Sequence, residues 1–354
     1  MADTRYTARP GLRTGAYNPA ADEARRRSEP PAKKSAVKRL VGKMDAYQRG
    51  HRWLGFPLAV VKKFGDDQAG YLAALVAYYA FFSLFPLLLV FVTVLGFVLG
   101  NNPELQQRIV GSVLAQLPVI GDQIKVGAMD GSGVALVIGI LGALIGGLGV
   151  IQALQHGMDE IWDVPRTKRP NFVWSRVRAL LLLAVLGVSA LASTFLSGIG
   201  SAGGTFGPAL KLGSFVASLA LNFALFLVSF RVLTAAKVRW KDVAPGAVLG
   251  AVAWAALQAA GTWLVGSKLE SASGAYGVFA IVIGLLSFLY IGGQITYLAA
   301  EVNVVKAKRL WPRSLQPPLT EAERRALTRA AKQEEIRPEE EIRVGFNPRS
   351  RAGR

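Results

Sequence analysis

Glu301 is the carboxylate best placed for chemistry in this sequence. It closes a long apolar run, with Gln294 and Tyr297 in the two turns before it and Asn303 just after. Polar and ionisable side chains inside such runs are costly in lipid unless they find partners, so each is a candidate for function. The others are Tyr79 and Ser83 before Pro86, the group Gln152, Gln155 and His156, Asn222, and Gln258. Two readings stand for the set. One is interhelical hydrogen bonding that fixes a bundle, at ~0.6–2 kcal/mol per contact. The other is a polar lining for a substrate path, with Glu301 as its functional charge and Arg231 or Lys306 as that charge's partner. His156 reads as a helix-end residue rather than a proton relay.

Other chemistries find little support. The chain has no cysteine and only two histidines, His51 and His156, so thiolate chemistry is excluded and a His-rich metal centre is not expected. No GxxxxGK[ST] phosphate loop and no HExxH zinc motif occurs. Asp159, Glu160 and Asp163 form the densest acidic group near a span. They read as a solvent-accessible helix face balancing Arg166–Arg169. Neither an enzymatic activity nor a cofactor or metal is expected.

The elements that must hold the polar residues are apolar runs. The 354 residues are 52% hydrophobic and 18% charged, below the ~25% charged residues usual in soluble chains, with a net charge of +18 and a mean hydropathy of +0.34. Six runs approach or exceed the ~20 residues that a helical span needs: Tyr71–Gly100, Gly133–Ile151, Ala179–Gly198, Phe215–Phe230, Val243–Val265 and Ala275–Ala300. The fourth is short and extends leftward through Lys211–Ser214. The first is long and contains Pro86, whose kink would absorb the excess and free the Phe82 carbonyl for a neighbour such as Ser83. It begins too late for a cleaved signal peptide and reads as an uncleaved anchor. Alternate polar segments hold 15, 5, 4 and 13 Lys and Arg, against 2, 1 and 1 in the intervening ones. Under the positive-inside rule that alternation gives both ends in the cytoplasm and an even number of spans. The fold class expected is all-α, a polytopic membrane bundle of about six helices in a bacterial cytoplasmic membrane.

The flanks divide as follows. Residues 1–35 read as a disordered basic tail, and residues 36–68 as a basic amphipathic region. There Val37, Leu40, Val41, Met44, Tyr47, His51 and Leu54 recur at three- and four-residue intervals among Lys and Arg. That helix suits either an anionic membrane surface or the protein's own cytoplasmic face. Residues 69–305 form the transmembrane domain. Residues 306–354 form a cytoplasmic tail with one short helix, opened by a capping box at Thr320–Glu323 and running to about Glu335, then disorder beyond Arg337. After the first span, Asn102 and Pro103 start a short amphipathic helix on the outer surface, while Gly198–Gly213 reads as irregular. Gly142 and Gly146, like Gly246 and Gly250, form GxxxG pairs suited to close helix packing. The partners expected are membrane lipids with anionic headgroups and a second copy of the chain; nucleic acid is not among them.

The segment Ala73–Pro86, AALVAYYAFFSLFP, with Ala77, Tyr78, Tyr79, Ser83, Leu84, Phe85 and Pro86 at its centre, resembles the signature of the YihY/BrkB family of bacterial inner-membrane proteins. Gly149–Pro165, GVIQALQHGMDEIWDVP, resembles that family's second landmark through Trp162 and Pro165. The AAEVN of Ala299–Asn303 is similar to its last-span ending, through Glu301 and Asn303. The resemblance spans about Leu40–Pro312 and implies an envelope membrane protein for which lipid or small-molecule transport is suspected. Members have also been labelled ribonuclease BN. A metal-dependent nuclease needs several ligands on a solvent-exposed scaffold, and the residues present do not offer them. The leading expectation is a bundle that moves a lipid or other amphiphile. The rival is a non-transporting scaffold that organises envelope enzymes through its tails.

Overall fold

The computed structural model describes residues 36–99, 133–201, 207–268 and 275–346. The tail 1–35, the outer-surface helix expected at Asn102 and the last eight residues lie outside them. Among the described residues every regular element is helical. A surface elbow is made by α1 (Ala36–Gly50) and α2 (Arg52–Asp66). Six long helices follow: α3 (Ala69–Leu99), α4 (Gly133–Ile161), α5 (Phe172–Ser201), α6 (Gly207–Leu233), α7 (Trp240–Lys268) and α8 (Ala275–Ala307), and then a short α9 (Glu321–Gln333). Five of them are long and apolar enough to cross a membrane, within Ala69–Leu87, Val137–Ile161, Leu212–Leu233, Trp240–Thr262 and Val282–Ala307. Helix α5, 30 residues long, stands among them.

The six long helices pack in chain order into a closed ring, α3 on α4, α4 on α5, and so on until α8 returns to α3. Glycine sets the closest seam. Gly139, Gly142, Gly146 and Gly149 on α4 face Val90, Pro86, Ser83 and Tyr79 on α3, so the helices run antiparallel with no room for a Cβ at the last three. Gly250 meets Phe226, and Gly246 meets the Ala299 carbonyl and Asn303. Both GxxxG pairs are therefore used inside the chain. Pro86 lies within α3, which continues through it to Leu99. Ser83 donates to the Ala80 carbonyl at 2.8 Å. Part of Gly198–Gly213, expected to be irregular, is helical, because α5 reaches Ser201 and α6 begins at Gly207; residues 202–206 lie outside the described residues.

The buried core gathers at one end of the ring, where α3, α5 and α7 begin and α4, α6 and α8 finish. Lys and Arg of the connecting segments collect here too, and we call it the basic end. Aromatic residues ring it on the outside: Trp53, Tyr71, Phe172, Trp174 and Trp240 are all at least half exposed.

The amphipathic segment is two helices rather than one. Gly50 and His51 break it, and Gly55 packs directly against the Gln48 carbonyl, a contact that only glycine permits. Nor is the apolar stripe of α1 the face that docks. Leu40, Met44 and Tyr47 are exposed, whereas Asp45 and Gln48 are buried. Asp45 accepts from the Leu315 amide at 2.9 Å, and Gln48 donates to the Arg313 carbonyl at 2.5 Å. A polar face docks when its partner is a run of backbone with unpaired donors and acceptors.

That partner run leads into α9, whose N-cap Thr320 accepts from the Glu323 amide. Arg313, 1% exposed, binds Glu323 at 2.7 and 3.1 Å and Asp66 at 2.6 Å, and Lys62 adds a third contact to Glu323 at 2.9 Å. Burial would raise the Glu323 carboxyl, but Arg313 and Lys62 hold it below the usual range. A depressed carboxylate contributes stability above its unfolded value and loses it as the pH falls through its folded one. Acidification below the ordinary carboxylate range should therefore release α9 before the bundle melts, seen as faster amide exchange over Glu321–Gln333; Glu323→Gln should show that exchange already at neutral pH. Residues 338–346, expected to be disordered, form irregular chain that folds back, with Arg324 over the Phe346 ring.

Candidate functional site

Lys63 sits where the apolar side of α2 meets the bundle. Phe56, Ala59, Val60, Lys63 and Phe64 share the helical period, so the docking of that face carries an ammonium inward. The side chain is 2% exposed. Its Nζ donates to Asp67, to the Ile161 carbonyl at 3.0 Å and to Asp163 at 3.3 Å, and lies 3.9 Å from Glu301 Oε2. A second ammonium, Lys308, bonds Asp163 at 2.8 Å and the Trp162 carbonyl, and lies over the Trp162 ring. Three carboxylates and two ammoniums thus share one buried pocket at the basic end.

Backbone geometry makes this convergence. Gln68, Asp163 and Arg309 have φ of 52°, 50° and 52° just past the ends of α2, α4 and α8. Left-handed residues stop a helix by returning amides to its last carbonyls, as Val164 does to Asp159 and Leu310 to Val305. Glycine would normally stand there. At Asp163 the non-glycine residue costs about 1–2 kcal/mol and in return places a carboxylate between two lysines.

Burial alone would lower the Lys63 ammonium, but Glu301, Asp163 and Asp67 hold it above the ordinary lysine range. Burial raises the Asp67 carboxyl above its usual range despite Lys63. Lys308 is lowered by burial, with Asp163 opposing.

The expected partners of Glu301 are replaced. Arg231 donates to the Val238 carbonyl and lies over the Trp240 ring, and Lys306 is exposed; the cation beside Glu301 is Lys63. The acidic group at the end of α4 is not a solvated face. Asp163 bridges the lysines, and Asp159, 4% exposed, accepts from the Ala235 amide at 2.6 Å. Only Glu160 meets the expectation, pairing with Arg169 at 2.9 Å while 28% exposed.

The remaining candidates fall into separate places. Tyr297 is buried against Gly157 and donates to the Ala153 carbonyl at 3.1 Å, and Asn303 accepts from the Gly246 amide at 2.6 Å. Both belong to the packed basic end with Glu301. Gln155 bonds Ser175 across the α4–α5 seam at 2.5 Å; Gln152, its amide turned to accept, takes bonds from Arg176 at 2.7 and 3.1 Å. His156 is exposed beside Arg169. Tyr79, Ser83 and Pro86 lie in the α3–α4 seam, with Ala77 buried, Leu84 half-buried, and Tyr78 and Phe85 exposed. Trp162 is buried and Pro165 precedes the turn Arg166–Lys168. Gln294 is half-buried on α8, and Gln258 is exposed on the outside of α7, away from any interior path.

Sequence reasoning missed Lys63, Asp67, Lys308 and Arg313. The available signal was a lysine on the apolar period of α2 with an aspartate four residues later.

Above the cluster the ring forms a half-open cavity of about 300 Å³ to which all six long helices contribute. Its wall is apolar, as at Leu182, Phe226 and Trp254, and its polar residues are Asn222, Ser229 and Thr296. That volume is at the small end of ligand pockets. Among the described residues no three His, Asp or Glu side chains gather so as to hold a metal ion.

Similar proteins place the chain among membrane proteins. It is 24% identical to the inner membrane protein YhjD of Escherichia coli (strain K12) over 265 residues, 69% of this chain and 78% of that one. It is 25% identical over 280 residues to a UPF0761 membrane protein of Stenotrophomonas maltophilia (strain R551-3), covering 71% of this chain and 61% of the relative. No solved structure matches. The family described as virulence factor BrkB matches residues 60–324, three-quarters of the sequence, and the chain is a membrane protein belonging to that BrkB/YihY family.

Proposed function

We propose that the protein moves a lipid or other amphiphile within or across a bacterial cytoplasmic membrane. It does so without catalysis or cofactor, as a bundle of six spans with both ends in the cytoplasm. The observation that carries this reading is the apolar cavity shared by six helices, with its few polar residues on α6 and α8. An apolar wall with sparse polar groups suits a hydrocarbon chain bearing one polar function. Alternation of Lys and Arg between segments supports the orientation. So does the exposed belt of Trp53, Tyr71, Phe172, Trp174 and Trp240 at the basic end, where headgroups would lie. The exposed stripe Leu40, Met44 and Tyr47, with Lys43 beside it, suits an anionic surface.

The test is movement of fluorescent phospholipids between leaflets of liposomes that carry the purified protein. Wild type should accelerate it. Ser229→Leu, which adds volume inside the cavity, should stop it without lowering the melting temperature by more than a few degrees. Absence of movement by folded wild type for every lipid class tried would overturn the reading in favour of the scaffold. A chain lacking residues 1–35 keeps all described contacts and should still transport; a scaffold working through that tail would lose its phenotype.

A further inference from the structure

The buried cluster has one negative charge too many. Lys63 and Lys308 supply two positive charges, and Asp67, Asp163 and Glu301 supply three negative ones. Asp163 is satisfied by both lysines, at 3.3 and 2.8 Å. Lys63 is then left to serve two further carboxylates. It bonds Asp67 directly and approaches Glu301 only to 3.9 Å. Glu301 is 0% exposed, and neither of its oxygens has a hydrogen-bond partner. A fully buried carboxylate with no donor on either oxygen and one distant, shared cation is a costly arrangement. One proton removes the excess charge.

The two acids differ in access. The Asp67 side chain is 11% exposed and stands at the α2–α3 junction, outside the spans, whereas Glu301 lies sealed beneath it on α8. The charged groups facing them are Lys63 from α2, Asp163 after α4 and Lys308 after α8, with Arg329 of α9 acting on Lys308. None of these supplies another cation to Glu301.

We propose that the Asp67–Glu301 pair is a proton-binding site. Asp67 exchanges the proton with solvent at the basic end, and Glu301 holds it beside Lys63. The proton taken up neutralises one carboxylate and its release restores it, so no other reactant is needed. Release leaves Lys63 as the counter-ion of two ionised acids and changes the hold of α2 on the bundle. This deepens the transport reading by naming a proton as the coupling ion, but the site stands on the cluster alone.

Infrared difference spectroscopy on the full chain in nanodiscs tests it without any transport measurement. Titration through neutral pH should show the C=O stretch of one buried carboxylic acid, and Glu301→Gln or Asp67→Asn should remove or shift it. Should Glu301→Gln fail to fold, Glu301→Asp keeps the acid and must shift the band. No such band in wild type, or a band that is unchanged in the Asp67 and Glu301 variants, overturns the proposal. A band assigned to the pair in a protein that moves no lipid keeps the proton site and sinks the transport reading. Lipid movement that responds to a proton gradient in wild type and not in Glu301→Gln ties the two together.

Discussion

Lys63→Met is expected to destabilise the folded protein by about 3–5 kcal/mol, the usual effect of removing one partner from a buried ion pair. Methionine keeps the apolar stem on the face with Ala59 and Val60, so lost charge rather than lost packing is what the substitution reads. Asp163 keeps Lys308 at 2.8 Å, while Asp67 and Glu301 lose their shared cation. A second substitution, Glu301→Gln, should return part of the loss, with a coupling of about 0.5–3 kcal/mol between the two positions. Thermal melts of the four proteins in one detergent measure it. A single-mutant change under about 0.5 kcal/mol, the range of ordinary surface changes, would show that Lys63 is not the pin of the cluster.

The pH dependence has a definite sign. Asp67 is held above its unfolded value, so its contribution is present below the ordinary carboxylate range and is lost as the pH rises through its folded value. Lys63 is held above the ordinary lysine range, so its contribution persists through neutral pH and fails only in strong alkali. Through neutral pH the loss of the Asp67 contribution should make wild type less stable as the pH rises. Asp67→Asn should flatten that slope.

Gly246→Ala should be the most damaging of the glycine substitutions. A Cβ there would collide with the Ala299 carbonyl oxygen and stand 2.5 Å from Asn303 Nδ2. The first is backbone of a neighbouring helix, so α7 and α8 must separate. Overpacking costs about 1–3 kcal/mol, and parting the helices also strains the 2.6 Å bond from the Gly246 amide to Asn303, where a buried unpaired group costs about 1–3 kcal/mol more. The expected total is about 2–6 kcal/mol, or failure to accumulate in the membrane. Gly284→Ala is the control. It lies in the same helix pair's outer reaches with nothing within 4 Å of a new Cβ, and it should be neutral or gain the ~0.5–1 kcal/mol of alanine over glycine in a helix. Equal melting temperatures for the two variants would refute the seam.

The length and apolarity of the runs were enough to determine helices, since lipid leaves backbone polar groups no partner outside the segment itself. The spacing of Gly142 with Gly146 and of Gly246 with Gly250 was legible for a similar reason: small residues at that interval lie on one helix face. The Thr320 cap was legible because its bond to Glu323 spans three residues. Charge bias along the chain gave an expected orientation without reference to any contact.

What joins distant segments could not be read in the same way. Glu301 was visible as an isolated charge, but its cation comes from a helix more than 200 positions earlier, and two nearer basic residues competed for the role. Asp163 looked like a member of an exposed acidic group until the left-handed turn at the end of α4 directed it inward. How the elbow docks could not be read from its pattern either, for a physical reason. An amphipathic pattern says that one face is apolar, and burial of that face is the default. Here the apolar stripe of α1 is left outside and the polar face of Asp45 and Gln48 is buried, because the backbone of residues 313–315 offers donors and acceptors that only the tertiary arrangement brings to it. Sequence by itself determined the helices and the residues that let them approach. The fold decided which charges meet, since electrostatic partnership depends on distance in space and not along the chain.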